Sequence, residues 1–271
     1  MEKIPHNQPH RQHPKKSLSQ HFLKDTRVLQ RIIKYAEIEP ADIVLEIGGG
    51  TGILTEALCQ TGARVISIEK DRNLLSAHLK PLQKKYKHLE LIEGDALEID
   101  LPECTKVVSN LPYCISSALT FKLLDHVFRD GILMYQREFA ERMCAKPDTK
   151  EYSKLSINVY VRATCKILEI VPRGAFYPVP EVESAIVHLV PRKKPPFNIS
   201  KPEIFYKLVD VAFQHRRKKI GTIITKHWEN ASTETIAFLR NSNYYDLRPE
   251  RLSPEDFGRI ADVLAHSSSH A

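Results

Sequence analysis

Four consecutive residues, Asn110-Leu111-Pro112-Tyr113, have the types that chemistry on the exocyclic amine of a flat base requires. The lone pair of such an amine is delocalised into the ring, so a protein must hold and polarise the nitrogen before it can attack a methyl group. Asn110 and the carbonyl of Leu111 can accept the two N–H bonds, and Pro112 stiffens the turn that aims them. Tyr113 offers a ring on which the base can stack. Since Asn-x-Pro is also a common turn signal, an ordinary turn after a strand is the alternative.

A glycine-rich segment, Glu46 to Gly52, lies between a predicted strand and a predicted helix. Its glycines let the backbone approach a ligand, and the N–H groups at the start of the helix can face that ligand. The dinucleotide fingerprint G-x-G-x-x-G requires a glycine at position 53, where Ile53 stands. The spacing of Gly48, Gly50 and Gly52 therefore favours S-adenosylmethionine as the cofactor, and a glycine-rich turn without a ligand is the alternative.

Two acidic residues follow the next two predicted strands. Glu69 ends the second strand, where its carboxylate can accept both ribose hydroxyls of an adenosine cofactor. Asp95 follows the third strand, where it can accept a hydrogen bond from the adenine amine of that cofactor. The carboxyl ends of parallel strands form the ligand-binding edge of an open α/β sheet. Because Asn110 follows the fourth strand, we predict a methyltransferase site at this edge, although any single acidic residue there can simply cap a helix.

Alternating strands and helices position these residues. The hydrophobic pattern predicts strands at 43–47, 64–68, 89–92, 106–109 and 132–135, and helices after Asp25 and at 51–59, 72–84 and 117–127. This alternation predicts an α/β fold with a doubly wound, mostly parallel sheet of the Rossmann-like type. Two later strands, 166–171 and 185–190, flank a proline-rich stretch and predict an antiparallel edge hairpin with a long loop.

The chain of 271 residues divides into unequal parts. We predict a basic flexible tail at 1–16, a catalytic domain at 17–194, a small helical domain at 197–265 and a second tail at 266–271. Pro195-Pro196 marks the linker, because adjacent prolines stop both helices and sheet ladders. Predicted helices of the second domain cover 203–213, 218–227, 234–240 and 255–264. Gly221 would weaken the second of these by about 1 kcal/mol, and we expect that helix to break there.

The net charge of +7, from 40 basic against 33 acidic residues, permits a polyanionic partner without requiring one. The densest basic run, Arg216-Arg217-Lys218-Lys219, is predicted to bind RNA, with a solvated helix face as the alternative. Five scattered cysteines without a C-x-x-C pair indicate neither a disulfide framework nor a zinc site, and no metal is predicted. Since the sequence has no signal peptide and no apolar run of about 18 residues, we expect a cytoplasmic protein without membrane contact.

From Ser17 to about Leu264 the chain resembles the small-subunit ribosomal RNA adenine N(6),N(6)-dimethyltransferase family, of the KsgA/Dim type. The motifs that carry the resemblance are Ser19-Gln20-His21-Phe22-Leu23, Glu46 to Gly52, Glu69, Gly94-Asp95-Ala96, Asn110 to Tyr113, Phe176-Tyr177-Pro178-Val179-Pro180 with Val182 and Ser184, and Arg216-Arg217-Lys218. Several of them occur in other methyltransferases, and their joint order is specific to this family and its nearest relatives. We expect an archaeal member.

The resemblance implies a role for each matching residue. His21, Leu23, Gly48 and Gly50 would belong to the cofactor site, with the first three at the methionine end of S-adenosylmethionine. Glu69 would bind the ribose of the cofactor, Asp95 would bind its adenine, and Asn110 would lie near the methyl group that is transferred. By motif position Phe176 would be the stacking partner of Tyr113, so that the target adenine is flipped out between two rings. A loop aromatic packed in the core is the alternative for Phe176.

The resemblance also implies a substrate. A monomer would dimethylate two adjacent adenines in a hairpin loop near the 3′ end of small-subunit ribosomal RNA, within an assembling small ribosomal subunit. A large-subunit ribosomal RNA methyltransferase of the resistance type remains an alternative, and a DNA adenine methyltransferase is a weaker one. A largely non-catalytic RNA-binding assembly factor is the rival of another class, and the intact Asn110, Tyr113, Glu69 and Asp95 argue against it.

Overall fold

A computed structural model describes residues 21–228 and 232–267, so the predicted basic tail and the last four residues of the chain lie outside the described residues. The strands are β1 Phe22–Leu23, β2 Ile43–Ile47, β3 Arg64–Glu69, β4 Leu89–Glu93, β5 Lys106–Asn110, β6 Asp130–Gln136, β7 Ala163–Val171, β8 Phe176–Tyr177 and β9 Ser184–Pro191. The helices are α1 Thr26–Ala36, α2 Ile53–Cys59, α3 Arg72–Leu74, α4 Lys80–Lys85, α5 Ser116–Leu124, α6 Arg137–Cys144, α7 Lys154–Arg162, α8 Pro202–Gln214, α9 Ile220–His227, α10 Thr233–Asn241 and α11 Pro254–Ser267. A π-helical stretch, Leu75–Leu79, joins α3 to α4.

The main sheet of the described chain has the strand order β4-β3-β2-β5-β6-β9-β7. The first five of these strands are parallel, and β9 is antiparallel to both of its neighbours. This mostly parallel sheet confirms the predicted doubly wound α/β fold, and the β7–β9 pair confirms the predicted hairpin. The chain direction across the sheet reverses between β2 and β5, which is where open α/β sheets bind their ligands.

Helices cover both faces of the sheet, so the central strands are apolar on both sides. In β2, Leu45 and Ile47 belong to the core cluster on one face and Val44 to the cluster on the other. The predicted start of α1 is also confirmed, because the side chain of Asp25 accepts a hydrogen bond from the backbone N–H of Arg27. These elements hold the carboxyl ends of β2, β3 and β5 at one edge.

A second, two-stranded sheet joins the start of the described chain to the loop after β7. Its strands β1 and β8 are antiparallel, with Phe22 opposite Tyr177 and Leu23 opposite Phe176. Directly opposed residues share one face of a sheet. Phe22 and Tyr177 therefore lie on one face, and Leu23 and Phe176 lie on the other.

The C-terminal helices α8 to α11 form their own core around Phe205, Leu208 and Phe257. That core also includes Ile157 and Val161 of α7, so α7 packs against the helices as well as against the sheet. The sequence pattern predicts neither α6 nor α7. None of the helices in the described ranges is both long enough and apolar enough to span a bilayer.

Gly221 does not break a helix, and the prediction that it would is wrong. α9 begins at Ile220 instead of 218, which places Gly221 in its first turn. The N–H of Gly221 donates to the carbonyl of Tyr245 at 3.1 Å, and the ring of Tyr245 occupies the space that a Cβ would need. Glycine is required at this position because the tyrosine packs directly on its backbone.

Candidate active site

A cleft opens at the carboxyl edge of the sheet, at the reversal point between β2 and β5. The turn after β2, the ends of β3 and β5, and segments 94–96 and 110–115 line it, and His21 and Phe22 border one side. The cleft therefore brings together the glycine turn, Glu69, Asp95 and the Asn110 to Tyr113 motif, as the sequence predicts.

The glycine turn adopts a backbone that only glycine tolerates easily. Gly48, Gly50 and Gly52 have φ values of 82°, 56° and 79°, in the left-handed region. The N–H of Gly48 donates to the carbonyl of Ile68 at 2.7 Å, which ties the turn to the end of β3. A Cβ on Gly50 would lie 3.1 Å from the ring of Phe22. The turn is thus a bare backbone surface at the floor of the cleft.

Glu69 is buried and its carboxylate organises this turn. One carboxylate oxygen accepts the N–H of Gly50 at 2.9 Å, and the other accepts the N–H of Asp71 at 2.7 Å. A carboxylate has about four acceptor positions, so both oxygens keep capacity for a further donor. Glu69 can therefore shape the turn and accept ribose hydroxyls at the same time.

Asp95 carries an ion pair that the sequence pattern does not reveal. Its Oδ1 accepts the N–H of Leu97 at 2.9 Å, and its Oδ2 lies 2.6 Å from Nζ of Lys70. The hydrogen bond from Lys70 is the main cause that lowers the pKa of Asp95. Asp95 is consequently a carboxylate at neutral pH, and it can accept the amine of an adenine in the cleft.

Glu46 lies fully buried beneath the glycine turn. Its Oε2 accepts hydrogen bonds from the hydroxyls of Thr55, at 2.6 Å, and Ser67, at 2.7 Å. Burial raises the pKa of Glu46 to about 7, against the opposing effect of these two donors. The side chain acts as a buried link between β2, β3 and α2, a role that its position in the sequence does not reveal.

Asn110 ends β5 and presents an unsatisfied acceptor. Its Nδ2 donates to the backbone carbonyl of His21 at 3.2 Å. Because a carbonyl oxygen can only accept a hydrogen bond, the amide atom that faces it must be the nitrogen, and the other amide atom is the oxygen. Its Oδ1 is buried and has no hydrogen-bond partner among the described residues. Buried polar atoms are nearly always paired, and Asn110 lines the cleft, so its oxygen is available to a donor group of a ligand bound there.

Tyr113 is oriented from two sides. Its hydroxyl shares a hydrogen bond of 2.5 Å with Oγ of Ser184, at the start of β9. The ring of His21 stacks on it with centroids 6.1 Å apart, and Nδ1 of His21 donates to the carbonyl of Pro178 at 2.9 Å. Burial raises the pKa of Tyr113 to about 12, so the hydroxyl stays protonated. Ser184 belongs to the motif that starts at Phe176. Its contact with Tyr113 joins residues that are 71 positions apart in the sequence, so the sequence pattern alone does not predict it.

Two predicted site residues need correction. Phe176 is 0% exposed and packs in the core between the sheet and α1, so its ring cannot stack on a base in this arrangement. Leu23, its partner in the two-stranded sheet, is buried in the same cluster, and the side chain that borders the cleft is that of Phe22. Both errors have one cause, because β1 and β8 pair and their facing side chains alternate between core and cleft.

An apolar lip begins at the last residue of β8. Of the large hydrophobic side chains that are strongly exposed in the described ranges, three lie in segment 177–182: Tyr177 at 59%, Val179 at 53% and Val182 at 42%. Tyr177 shares its face with Phe22, which borders the cleft. We call Tyr177, Val179 and Val182 the apolar lip.

The predicted basic run divides into two kinds of residue. Nε of Arg216 lies 2.6 Å from the carboxylate of Glu250, and its Nη2 donates to the carbonyl of Lys150 at 2.9 Å. Arg216 therefore links the C-terminal helical part, which begins at α8, to the segment before α7. These contacts occupy much of its guanidinium, and RNA binding by Arg216 stays a prediction. Lys219 pairs with Asp246 at 2.7 Å. Arg217 and Lys218 are exposed, and no ion pair is found for them in the described chain.

The described residues contain no group of three His, Cys, Asp or Glu side chains arranged to hold a metal ion.

A family described as "Ribosomal RNA adenine dimethylase" matches residues 11–265. A protein of Methanosarcina acetivorans named "Probable ribosomal RNA small subunit methyltransferase A" is 44% identical over 92% of this chain and 93% of its own length. A protein of the same name from Thermococcus kodakarensis is 41% identical over 93% and 90%.

Two solved structures resemble about nine tenths of the chain. A dimethyladenosine transferase from Plasmodium falciparum has a TM-score of 0.80 and 31% identity, covering 91% of this chain and 98% of its own. The 23S rRNA methyltransferase ErmE has a TM-score of 0.71 and 26% identity, covering 90% and 99%. These similarities confirm the predicted Rossmann-like fold and identify it as that of the class I methyltransferases.

Proposed function

Because this chain belongs to the ribosomal RNA adenine dimethylase family, we propose that it transfers two methyl groups to the exocyclic amine of adenines in small-subunit ribosomal RNA, with S-adenosylmethionine as the donor. The family makes it a ribosomal RNA methyltransferase that acts in ribosome biogenesis. The proposal also includes the finer predictions: two adjacent adenines in a hairpin loop near the 3′ end, an assembling small subunit as the substrate, a monomeric enzyme and a cytoplasmic location.

The orphan Oδ1 of Asn110 is the observation that carries this proposal. It is buried, it lines the cleft, and it lacks a donor among the described residues. An exocyclic amine has two N–H bonds and satisfies such an acceptor. With the carbonyl of Leu111 as the second acceptor, the nitrogen lone pair is directed out of the base plane, where it can act as a nucleophile.

The residues of the cleft fit S-adenosylmethionine. Gly48 and Gly50 form a surface free of side chains, Glu69 suits the ribose, and Asp95 suits the adenine amine. His21 and Phe22 border the end of the cleft that also contains Asn110, which suits the methionine part. The cofactor supplies a sulfonium methyl that is already activated.

The protein's own part in the reaction is positioning. Asn110 and Leu111 hold the amine, and Tyr113 offers a ring fixed by Ser184 and His21 against which the adenine can stack. The alkylated nitrogen is acidic enough to lose its proton to water, so no strong general base is required. For the second transfer the monomethylated amine must turn and bind again.

The apolar lip supports an unpaired RNA substrate. It begins next to the carbonyl of Pro178, which accepts the hydrogen bond from His21, and it ends near Ser184, which holds Tyr113. Exposed Tyr177 offers a π-face to an unstacked base, and such stacking is a common way of binding single-stranded RNA. We therefore place nucleotides of the target loop against this lip.

The test is to map the product. The purified full-length protein is incubated with labelled S-adenosylmethionine and with either small or large ribosomal subunits that lack dimethyladenine, and the label is located by nuclease digestion and mass spectrometry. We expect dimethyladenine at two adjacent positions of the small-subunit RNA. Label confined to large-subunit RNA would overturn the choice of substrate.

The large-subunit alternative has one observation in its favour, the similarity to the 23S rRNA methyltransferase ErmE. The dimethyladenosine transferase has the higher TM-score and the higher identity, and the curated relatives are more similar still at 44% and 41%. The names of those relatives specify the small subunit. We therefore keep the small subunit as the proposed substrate.

A further inference from the structure

Two cysteines outside the cleft lie in direct contact. Sγ of Cys144, the last residue of α6, is 2.7 Å from Sγ of Cys165 in β7. Both are half-buried, and all five cysteines are free thiols. We propose that Cys144 and Cys165 form a thiol pair that a hydroperoxide oxidises to a disulfide.

The surroundings give an oxidant access to this pair. Both cysteines line a cavity of about 320 Å³ between the sheet domain and the start of α11. Lys146, Arg192 and Glu255 line the same cavity, so a polar oxidant can enter it. A hydrogen bond from Cys165 and a second one from the backbone N–H of Ile167 lower the pKa of Cys144, whereas the pKa of Cys165, which has no such backbone donor, is raised. We therefore assign Cys144 as the attacking thiol and Cys165 as the thiol that resolves the intermediate.

The reaction balances with one peroxide per pair. The Cys144 thiolate attacks one peroxide oxygen, the O–O bond breaks, and the leaving oxygen takes a proton to become water. Cys144 is then a sulfenic acid. The sulfur of Cys165 attacks it, the S–O bond breaks, and the hydroxyl departs with the thiol proton as a second water. Two thiols and hydrogen peroxide give a disulfide and two molecules of water.

The cross-link would affect the contact between segment 145–153 and the C-terminal helical part, which begins at α8. We call this contact the joint. The segment between Cys144 and α7 contacts the helical part through the N–H of Asp148, which donates to the carbonyl of Glu250 at 2.7 Å. Tyr152 of the same segment donates to the carbonyl of Leu252 at 3.0 Å. A disulfide would close the loop that contains this segment and α7, and by restricting the unfolded chain it would stabilise the folded joint.

The experiment treats the folded full-length protein with hydrogen peroxide, blocks remaining thiols with an alkylating reagent, and digests without reductant. We expect a peptide that links Cys144 to Cys165 and is lighter by two hydrogens. Cys59 and Cys104 are internal controls, because burial raises the pKa of both to about 12, and they should remain thiols. Absence of the linked peptide, or linkage of either control cysteine instead, would overturn the proposal.

Single variants separate the two roles. In Cys165→Ser, a sulfenic acid should persist at Cys144 and react with a dimedone probe. In Cys144→Ser, Cys165 should remain a thiol, and a dimedone adduct on Cys165 would contradict the assignment. The oxidised wild type should melt roughly 5 °C higher than the reduced protein, reversibly with reductant, and neither variant should show this shift. An unchanged melting temperature in cross-linked protein would refute the effect on the joint.

Discussion

At the scale of single residues, the site depends on polar atoms whose partners are fixed or missing. Both oxygens of Glu69 accept backbone N–H groups, and Asp95 is held by the N–H of Leu97 and by Lys70, so both carboxylates are fixed in the cleft while each keeps further acceptor capacity. Asn110 has its donor occupied by the carbonyl of His21 and its acceptor free. Pre-set acceptors of this kind lower a barrier without reorganisation during the reaction.

The first prediction concerns Asn110. Replacing it by alanine removes the amine acceptor, and the single-turnover rate of methylation should fall by roughly 10²- to 10³-fold, the effect typical of one preorganised polar group. RNA binding, measured by filter retention, should change less than about threefold.

Asn158 provides a matched control for that experiment. It lies in α7, and its Oδ1 is likewise buried without a partner among the described residues, but it does not line the cleft. Asn158→Ala should therefore keep the wild-type rate. A rate in Asn110→Ala no lower than in this control would rule out the proposed amine acceptor.

The second prediction concerns the pH dependence of stability. In the folded protein the pKa of Glu46 is raised from 4.5 to about 7, so the native state holds a proton that the unfolded state releases. Stability from this group is therefore fully present below about pH 4.5 and is lost as the pH rises through about 7. At about 1.4 kcal/mol per pKa unit the loss is roughly 3 kcal/mol.

Urea unfolding at pH 5 and pH 8 measures this loss. Glu46→Gln stays neutral and can still accept from the hydroxyls of Thr55 and Ser67, so its stability should differ less between the two pH values than that of the wild type. Glu90→Gln changes an exposed carboxylate of β4 and should keep the full wild-type difference. An equal pH difference in all three proteins would show that Glu46 does not titrate in this way.

At the scale of elements, the pairing of β1 with β8 decides which aromatic ring the substrate can reach. The third prediction compares Phe176 with its neighbour Tyr177. Phe176→Ala should destabilise the protein by about 3–5 kcal/mol, because it leaves a cavity in the core. Tyr177→Ala should leave the melting temperature unchanged and raise KM for the RNA severalfold.

A control for this comparison is Val127, which is 87% exposed and lies just before β6, at the end of the sheet opposite to the cleft. Val127→Ala should change neither stability nor KM. Should Tyr177→Ala behave like Val127→Ala, the apolar lip would have no part in RNA binding.

The elements also show what the sequence could and could not predict. The strands of the parallel sheet follow from short, mostly apolar segments, and their carboxyl ends place Glu69, Asp95 and Asn110 together. α7 is different, because Ile157, Val159 and Val161 alternate as in a strand. A helix forms there because Ser153 and Ser156 make a capping box and both sides of the helix are buried. The burial of Phe176 likewise depends on a strand pairing between distant segments, which motif spacing does not contain.

At the scale of the whole molecule, the catalytic sheet and the helical part meet at a polar joint. Arg216 is bound there by Glu250 and by the carbonyl of Lys150, and Arg251 pairs with Asp148 at 3.1 Å. Two of the four cations in the predicted basic run, Arg216 and Lys219, are therefore paired inside the protein, which leaves Arg217 and Lys218 as the exposed cations for RNA.

The last prediction separates these two uses of positive charge. Arg217→Glu combined with Lys218→Glu should weaken RNA binding, and the slope of log affinity against log salt should fall by about 1 for each phosphate that the variant no longer binds. The rate at saturating RNA and the melting temperature should stay near the wild-type values, because both side chains are exposed and unpaired in the described chain.

Arg216→Ala should do the reverse: it leaves Glu250 without its partner, lowers the melting temperature, and keeps the salt slope of binding. Filter binding across a salt series and thermal unfolding of both variants decide the matter. A reduced salt slope in Arg216→Ala at unchanged melting temperature would mean that Arg216 leaves Glu250 to bind phosphate, and that the joint opens when RNA is bound.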